Sequence, residues 1–581
     1  MTAKQSASVD IEAVNHINSF STNAKTLTAG TEAEKCASSP ASPLPQHSIW
    51  TRIGVTPSSF SRRPDDEGQL NHSLKTRHLR TIALGGCIGA GLFVGSGGAL
   101  ASGGPASLLI GFLIVGLMVF NVVHALTELA VLFPIEGGFY TYSARFIHPS
   151  WAFAMGWNYC LQWAIVLPLE ITVASEVIKF WTTDISVAIW ISAFLFGIIL
   201  LNIFGVLGYG EFEFGSVSLK LIAIIVFIVT GFVLVLGGGP PDGIYTEYWG
   251  TRFWYHPRAF QNGFKGFCSV FVTAAFAYAG TELVGLAAAE TKAPLKSIPL
   301  AVKQMTWRIV VFYTLPLLFV GLLVKSTDKR LFGSGDGFAN TTASPFVIVA
   351  MDAGLRGLDS FICAVIVVSV LAIGNAGVYA GSRTLTALAQ QGYAPKVFSY
   401  IDQVGRPQVS GVVMICCGGL AYINVAAAGQ NIFQWLLSLA GLAALFTWGS
   451  ICVSHIRFRR AWKCQGRSER KIPYRAMFGV AGSWFSLVLI ILVFAAQMYV
   501  AIKPPGGGTS TAKQFFKSSL TWPLVLFLLA CGCVWKRQGW LKVAHIDVNS
   551  GRRYIDWTAR RAEQARQADK PLWKRVIHMM V

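Results

Sequence analysis

The stretch IALGGCIGAGLFVGSGGAL, residues 82–100, decides how this chain is read. It is long and apolar, as a membrane-crossing helix must be. Yet Gly85, Gly86, Gly89, Gly91, Gly95, Gly97 and Gly98 fall within fourteen residues, and each glycine inside a helix costs up to about 1 kcal/mol relative to alanine. One reading is close helix packing, for which small residues in membranes are ordinary. The other is an unwound segment whose free amides, at the positive end of the following half-helix, bind a carboxylate. A dinucleotide loop is excluded, because no glycine completes GxGxxG after Gly89 and Gly91 and no strand precedes them.

A second interruption lies in VFVTAAFAYAGTELVGLAAAET, residues 270–291, where Ala279-Gly280-Thr281 precedes Glu282. If spans one to five and six to ten form two inverted repeats, the two interruptions occupy equivalent places. Paired breaks of this kind are the best sequence pointer to a midplane substrate site.

Composition agrees with a bilayer protein. Of 581 residues, 53% are hydrophobic and 13% charged, whereas soluble domains carry roughly 25% charged residues. Apolar runs near the roughly 20 residues that a spanning helix needs recur at 79–101, 107–127, 151–178, 185–205, 216–236, 266–289, 309–325, 360–388, 408–427, 433–455, 479–501 and 520–536. The expected fold class is therefore all-α, a polytopic membrane protein with twelve transmembrane helices. Continuous apolar runs rather than alternating ones exclude a β-barrel.

The expected organisation is a disordered N-terminal tail over 1–72, a transmembrane domain over 73–537 and a C-terminal tail over 538–581. The first twenty residues contain no apolar core of a secretory signal. Lys and Arg concentrate at the flanks that share a side with the N-terminus, including Arg145, Arg308, Arg406 and the run Arg457–Arg475. Both termini are thus expected in the cytoplasm. Glu211 and Glu213, in the loop expected after the fourth span, run against that trend.

The net charge of +20 is spread over tails and loops rather than one stripe, which argues against a nucleic-acid interface. Cys87, Cys160, Cys268, Cys363 and Cys452 sit singly in apolar runs and read as small core residues. Cys531 and Cys533 lack a second pair at zinc spacing, so no metal is expected. No nucleophile–base pair or phosphate loop points to an enzyme.

Four motifs carry a family resemblance: GGCIGAGLFVGSG at 85–97, ELAVLFPIEGGFYTY at 128–142, FAYAGTELVGLAAAET at 276–291 and GSRTLTALAQQGYAPK at 381–396. In order and spacing they resemble the fungal amino acid permease family, the yeast amino acid transporter type of the amino acid–polyamine–organocation superfamily. The resemblance implies a LeuT-type fold with a five-plus-five inverted repeat and two further helices. It also implies proton-coupled import of amino acids across the plasma membrane, with the proton as coupling ion and no cofactor. An amino acid sensor on the same fold, and a permease restricted to basic amino acids, are the alternatives.

By resemblance, the substrate carboxylate meets backbone amides around Ile88, Gly89, Ala90, Gly91 and Leu92, and the α-amino group meets carbonyls around Phe276, Ala277, Tyr278 and Ala279. Phe276, Tyr278, Thr281 and Asn375 are expected around the substrate side chain.

Ionisable residues inside spans default to functional hypotheses. Glu170 resembles a carboxylate associated with proton coupling. Lys220 resembles the lysine that stands where sodium sits in sodium-driven relatives, or else snorkels to the surface. Glu282 caps the second break or contacts substrate or proton, and Glu128, Glu136 and Arg145 form an ion pair or a gate. Arg383 is expected in a gate or snorkelling role. Lys4, Lys25 and Lys35 are candidate ubiquitin acceptors, which makes ubiquitin-ligase machinery an expected partner beside the amino acid and the lipid bilayer.

Overall fold

The computed structural model describes residues 60–61, 78, 81–82, 86–134, 138–287, 294–332, 344–425, 429–505, 510–535, 541–553 and 571. Lys4, Lys25, Lys35, Glu136, all of the expected N-terminal tail except Phe60 and Ser61, and most of 538–581 lie outside the described residues.

All described elements are helices. Among them are α1 (Ser96–Leu132), α2 (Pro149–Ile178), α3 (Val187–Ile203), α4 (Gly205–Val235), α5 (Gly263–Tyr278), α6 (Leu283–Ala287), α7 (Ser297–Leu323), α8 (Leu358–Gln390), α9 (Gln408–Val425), α10 (Gly429–Cys464), α11 (Gly479–Ile502) and α12 (Thr521–Trp535), with shorter helices between them such as Phe139–Phe146, Pro345–Asp352 and Ala512–Ser519. Among the described residues, nine runs are long and apolar enough to cross a membrane, and α3 and α12 are shorter apolar helices. The chain is an all-α polytopic membrane protein. Each expected stretch falls on a helix, although the first two share one 42-residue run, Gly91–Leu132.

That run bends at Gly104, where φ is +82° and Pro105 follows. Proline disfavours helical backbone in the residue before it, and glycine takes the positive φ at no steric cost. The backbone groups freed by the bend find partners in a loop: Gln261 N donates to Gly103 O at 2.8 Å and Ala106 N to Ala259 O at 2.9 Å. Such substitution is obligatory where water is scarce.

α2 and α8 pack against one another through small residues; a Cβ on Gly377 would sit 3.3 Å from Trp163, and one on Gly156 2.6 Å from Leu388. The outer helices keep large apolar side chains uncovered, such as Phe196 and Phe232 on α3 and α4 and Leu492 and Phe527 on α11 and α12. Uncovered apolar faces of this kind suit a lipid surrounding, which is as apolar as they are.

Several charges expected at the surface are buried. α4 starts at Gly205, so Glu213 lies inside the helix and not in a loop, with 0% exposure. α7 likewise begins before the apolar run 309–325, and Arg308 is fully buried within it. Lys220 is also fully buried, which removes the snorkelling reading. In each case the polar residue faces neighbouring helices, so an apolar-run boundary drawn at the charge cuts the helix short.

Glu128 forms a buried structural cluster. Its Oε1 lies 2.6 Å from Arg459 Nε and 3.1 Å from His455 Nε2, and its Oε2 accepts from Arg459 Nη2 at 3.0 Å and Ala476 N at 2.7 Å. Arg145 does not join it; its Nε donates to Asp547 O at 2.7 Å and its guanidinium lies 3.3 Å from the Asp547 carboxylate. At the opposite end of the helices, Arg330 bridges Asp328 and Asp352, 2.7 Å from each. Partial burial works against the Asp328 carboxylate, but hydrogen bonds and charge from Arg330 outweigh it and hold the group below the usual carboxylate range.

Gly104→Ala is expected to lower the thermal midpoint of detergent-purified protein, because a Cβ there meets Ala259 O and Gln261 N at 2.7 Å on a positive φ, a strain of about 1–3 kcal/mol. Gly449→Ala, whose Cβ meets only Ile490 at 3.9 Å, is the control and leaves the midpoint unchanged or raised.

Candidate functional site

Both interruptions expected from the sequence are present, and they lie side by side. The first occupies Gly86–Gly89, after which the chain re-enters a helix at Ala90 through a wide five-residue turn, Gly91–Gly95. The second begins where α5 ends at Tyr278: Ala279 is extended at ψ 142°, and Gly280 takes φ +93° before α6 starts.

Their closeness depends on Gly91. A Cβ there would stand 2.5 Å from Ala277 Cα and 2.8 Å from its N, so backbone meets backbone with no side chain between. Gly89 differs, because its nearest neighbour would be the end of the Ile373 side chain.

α7 staples the two breaks together. Arg308 Nη1 donates to Cys87 Sγ at 3.1 Å and Nη2 to Thr281 Oγ1 at 2.6 Å, while Tyr313 Oη bonds to Ala277 O at 2.8 Å and Cys87 O at 3.3 Å. Tyr313 stacks on Tyr278 with ring centroids 4.3 Å apart. Glu282 caps the second break, since its Oε1 accepts from Gly280 N at 3.2 Å and its Oε2 from Trp448 Nε1 at 3.1 Å.

Between the breaks lies a small cavity lined by Cys87, Gly91, Trp163, Val166, Glu170, Phe276, Ala279 and Ile373. Apart from Glu170 and the Cys87 thiol, its walls are apolar side chains and backbone. Glu170 sits on α2, two residues beyond Pro168. Its carboxyl faces the Ala90 amide at the restart of the first helix, the positive end of that dipole. Neither of its oxygens has a hydrogen-bond partner among the described residues. Lys220, on α4, lies within electrostatic reach of Glu170, Cys87 and Glu213, and its Nζ also lacks a hydrogen-bond partner among the described residues.

The remaining expected residues fall in distinct places. Ile88, Ala90 and Leu92 are buried in the first break and the turn after it. Carbonyls expected to receive an amino group already accept bonds: Phe276 O from Ala279 N at 3.1 Å and Ala277 O from Tyr313, and Tyr278 O from both Thr281 N at 3.3 Å and Thr281 Oγ1 at 2.5 Å. A carbonyl oxygen has two lone pairs, so Phe276 O and Ala277 O retain capacity, whereas Tyr278 O is taken up by Thr281. The Tyr278 ring packs toward Phe112 and Tyr313. Thr281 is taken by Arg308. Asn375 is not among the cavity's lining residues; its Oδ1 accepts from Asn202 Nδ2 at 2.8 Å, and Ile373 supplies the wall from α8. Arg383 is buried over the Tyr379 ring, 3.8 Å from its centroid.

Sequence reasoning missed Arg308, Tyr313, Trp163 and Trp448. For Arg308 a signal existed: the run 309–325 is shorter than the roughly 20 residues a span needs, so the helix had to extend back through the arginine. The tryptophans and Tyr313 carry no pattern that separates them from ordinary core residues.

Two predictions follow from this geometry. Gly91→Ala should reduce the amino acid uptake that the resemblance implies at least about tenfold, about 1.4 kcal/mol, because rigid backbone must move, whereas Gly89→Ala should do less harm and Ile373→Val, which removes the clashing methyl, should restore it. Arg308→Lys loses the fork that reaches both breaks and should cost about 1.5–3 kcal/mol, read as a fall in uptake per surface-expressed molecule.

Over 533 residues the chain is 56% identical to the amino-acid permease inda1 of Hypocrea atroviridis, covering 91% of this chain and 93% of that protein. It is 46% identical over 519 residues to the general amino-acid permease GAP1 of Saccharomyces cerevisiae, covering 87% and 85%. A solved structure of the nucleobase–cation symporter MHP1 aligns at 12% identity with a TM-score of 0.41, covering 80% of this chain and 99% of that one. The amino acid permease family model matches residues 78–545. The chain belongs to the amino acid permease family and is a multi-pass membrane transporter of amino acids.

Proposed function

We propose that the protein imports amino acids of broad side-chain range together with protons across the plasma membrane, with both termini in the cytoplasm, by alternating access around the cavity between the two breaks. The observation that carries this reading is the buried Glu170 carboxyl in the wall of that cavity, within electrostatic reach of the Ala90 amide where the first helix restarts. A substrate carboxylate needs the same amides at the same positive helix end. When Glu170 is ionised it competes for that donor; when it is protonated the amide is released to the substrate. Proton and amino acid then occupy the site together, which is the requirement for symport. Lys220 behind the first break takes the cation's place, so no sodium is needed.

The apolar walls formed by Trp163, Val166, Phe276 and Ile373 support broad specificity. They offer shape and dispersion rather than a hydrogen-bond partner, and such pockets discriminate weakly between side chains. The orientation rests on the basic residues Arg145, Arg406 and Arg457–Arg475 on one side of the membrane.

Uptake of radiolabelled neutral, acidic and basic amino acids into permease-deficient yeast, with and without a protonophore, tests the reading. Uptake of several classes that collapses with the protonophore is expected; protonophore-insensitive uptake would reject proton coupling. In the same assay Glu170→Gln should lower accumulation and flatten its dependence on external pH, while equilibrium binding changes less.

A further inference from the structure

Glu213 is a buried carboxylate that the reading above does not use. It is fully buried in α4, and neither of its oxygens has a hydrogen-bond partner among the described residues. Buried polar groups are nearly always satisfied, and an ionisable group kept without a partner inside a membrane helix is expensive. Of the other buried carboxylates, Glu128, Glu282 and Asp402 are held by hydrogen bonds, and only Glu170, which the reading above does use, lacks them among the described residues. Structural need therefore does not account for Glu213.

Position supplies the account. Tyr209, Glu213, Ser216 and Lys220 follow one another at spacings of four, three and four residues, which places them on one face of α4. All four are buried. At one end of the stripe Lys220 interacts electrostatically with Glu170 and Cys87, and in the middle it interacts with Glu213. At the other end Tyr209 stacks on Tyr379 of α8, with centroids 4.4 Å apart. Tyr209 and Tyr379 line a second cavity with Asn202, Arg383, Arg406 and Phe60. Ser61, the residue after the lining Phe60, is exposed and bonded to the exposed Gln403. The groups facing the stripe from other elements are Cys87 of the first break, Glu170 of α2, Tyr379 and Arg383 of α8, and His78, which pairs with Glu211 at 3.2 Å.

Resting on the coupled-import reading, we propose that Glu213 is the cytoplasmic-side station of the proton route, taking the proton from Lys220 and releasing it into the cavity bounded by Tyr209, Tyr379, Arg383 and Arg406. In the step, a proton leaves the Lys220 ammonium and is relayed by a water molecule, since Nζ makes no direct hydrogen bond to Glu213 among the described residues, to a Glu213 carboxylate oxygen, leaving a neutral amine and a neutral carboxylic acid. Release to water in the cavity restores the carboxylate, and Lys220 is recharged by the proton that entered on Glu170. Each transfer moves one proton and no electrons.

The test uses the purified full-length protein in liposomes, with radiolabelled L-leucine, L-glutamate and L-arginine as probes. Net uptake driven by a pH gradient is compared with exchange against the same amino acid without a gradient, which returns the proton with the carrier and needs no release. Glu213→Gln is expected to lose gradient-driven uptake by about tenfold or more while exchange stays within about twofold. Gradient-driven uptake equal to the parent's overturns the proposal, and so does an equal loss of exchange, which would mark a structural role. Glu213→Asp moves the carboxyl away from Lys220 and is expected to shift the pH at which net uptake is half-maximal; an unchanged profile overturns the proposal even if the glutamine variant cannot be recovered. A parent protein that takes up none of the probes in either mode would instead reject the coupled-import reading itself.

Discussion

The approach of Gly91 to Ala277 is the contact on which the rest of the structure depends. Two helices break at the same place, and a break inside a bilayer exposes backbone groups that have no water to turn to. The protein answers by setting the breaks against each other and closing them with Arg308, Tyr313 and Glu282. Any side chain larger than hydrogen at position 91 would hold the backbones apart and open the staple. The result is a small cavity walled chiefly by backbone and apolar side chains.

Close ion-pair partners separate the buried charges into two kinds. Glu128, with Arg459, His455 and the Ala476 amide, has partners on both oxygens. Removing one member would strand the others, as happens in buried ion clusters generally. Glu170, Lys220 and Glu213 have no hydrogen-bond partner among the described residues and interact through space along α2 and α4. Burial is equal in the two groups; what differs among the described residues is a close oppositely charged partner, which Glu128 has and Glu170, Lys220 and Glu213 lack.

Segments outside the spans are tied to the helix ends rather than left free where they are described. Phe60 lies under the Arg406 guanidinium, 4.4 Å from its ring centroid, and its carbonyl accepts from Tyr400. Ile546 and Val548 are buried, and Arg145, Gln465 and Leu132 hold the backbone of this same stretch. The C-terminal boundary expected at residue 537 therefore cuts off residues that pack on the helical domain.

The amino-acid sequence by itself determined the all-α membrane class, the position of the helices and both breaks, because long apolar runs and clustered glycines are local signals with a direct physical cause. The glycines at 86, 89 and 91 could be read without a fold, since their conformational cost is paid wherever they sit. What only the tertiary structure decided was which side chains share a space. Arg308 read as a flanking charge and Glu213 as a loop acid, and Asn375 read as a pocket residue where Ile373 forms the wall. These assignments depend on the rotation of each helix about its axis. In a membrane the apolar outside and the apolar inside look alike, so hydropathy carries almost no rotational information, and the facing of each residue emerges only when the helices pack.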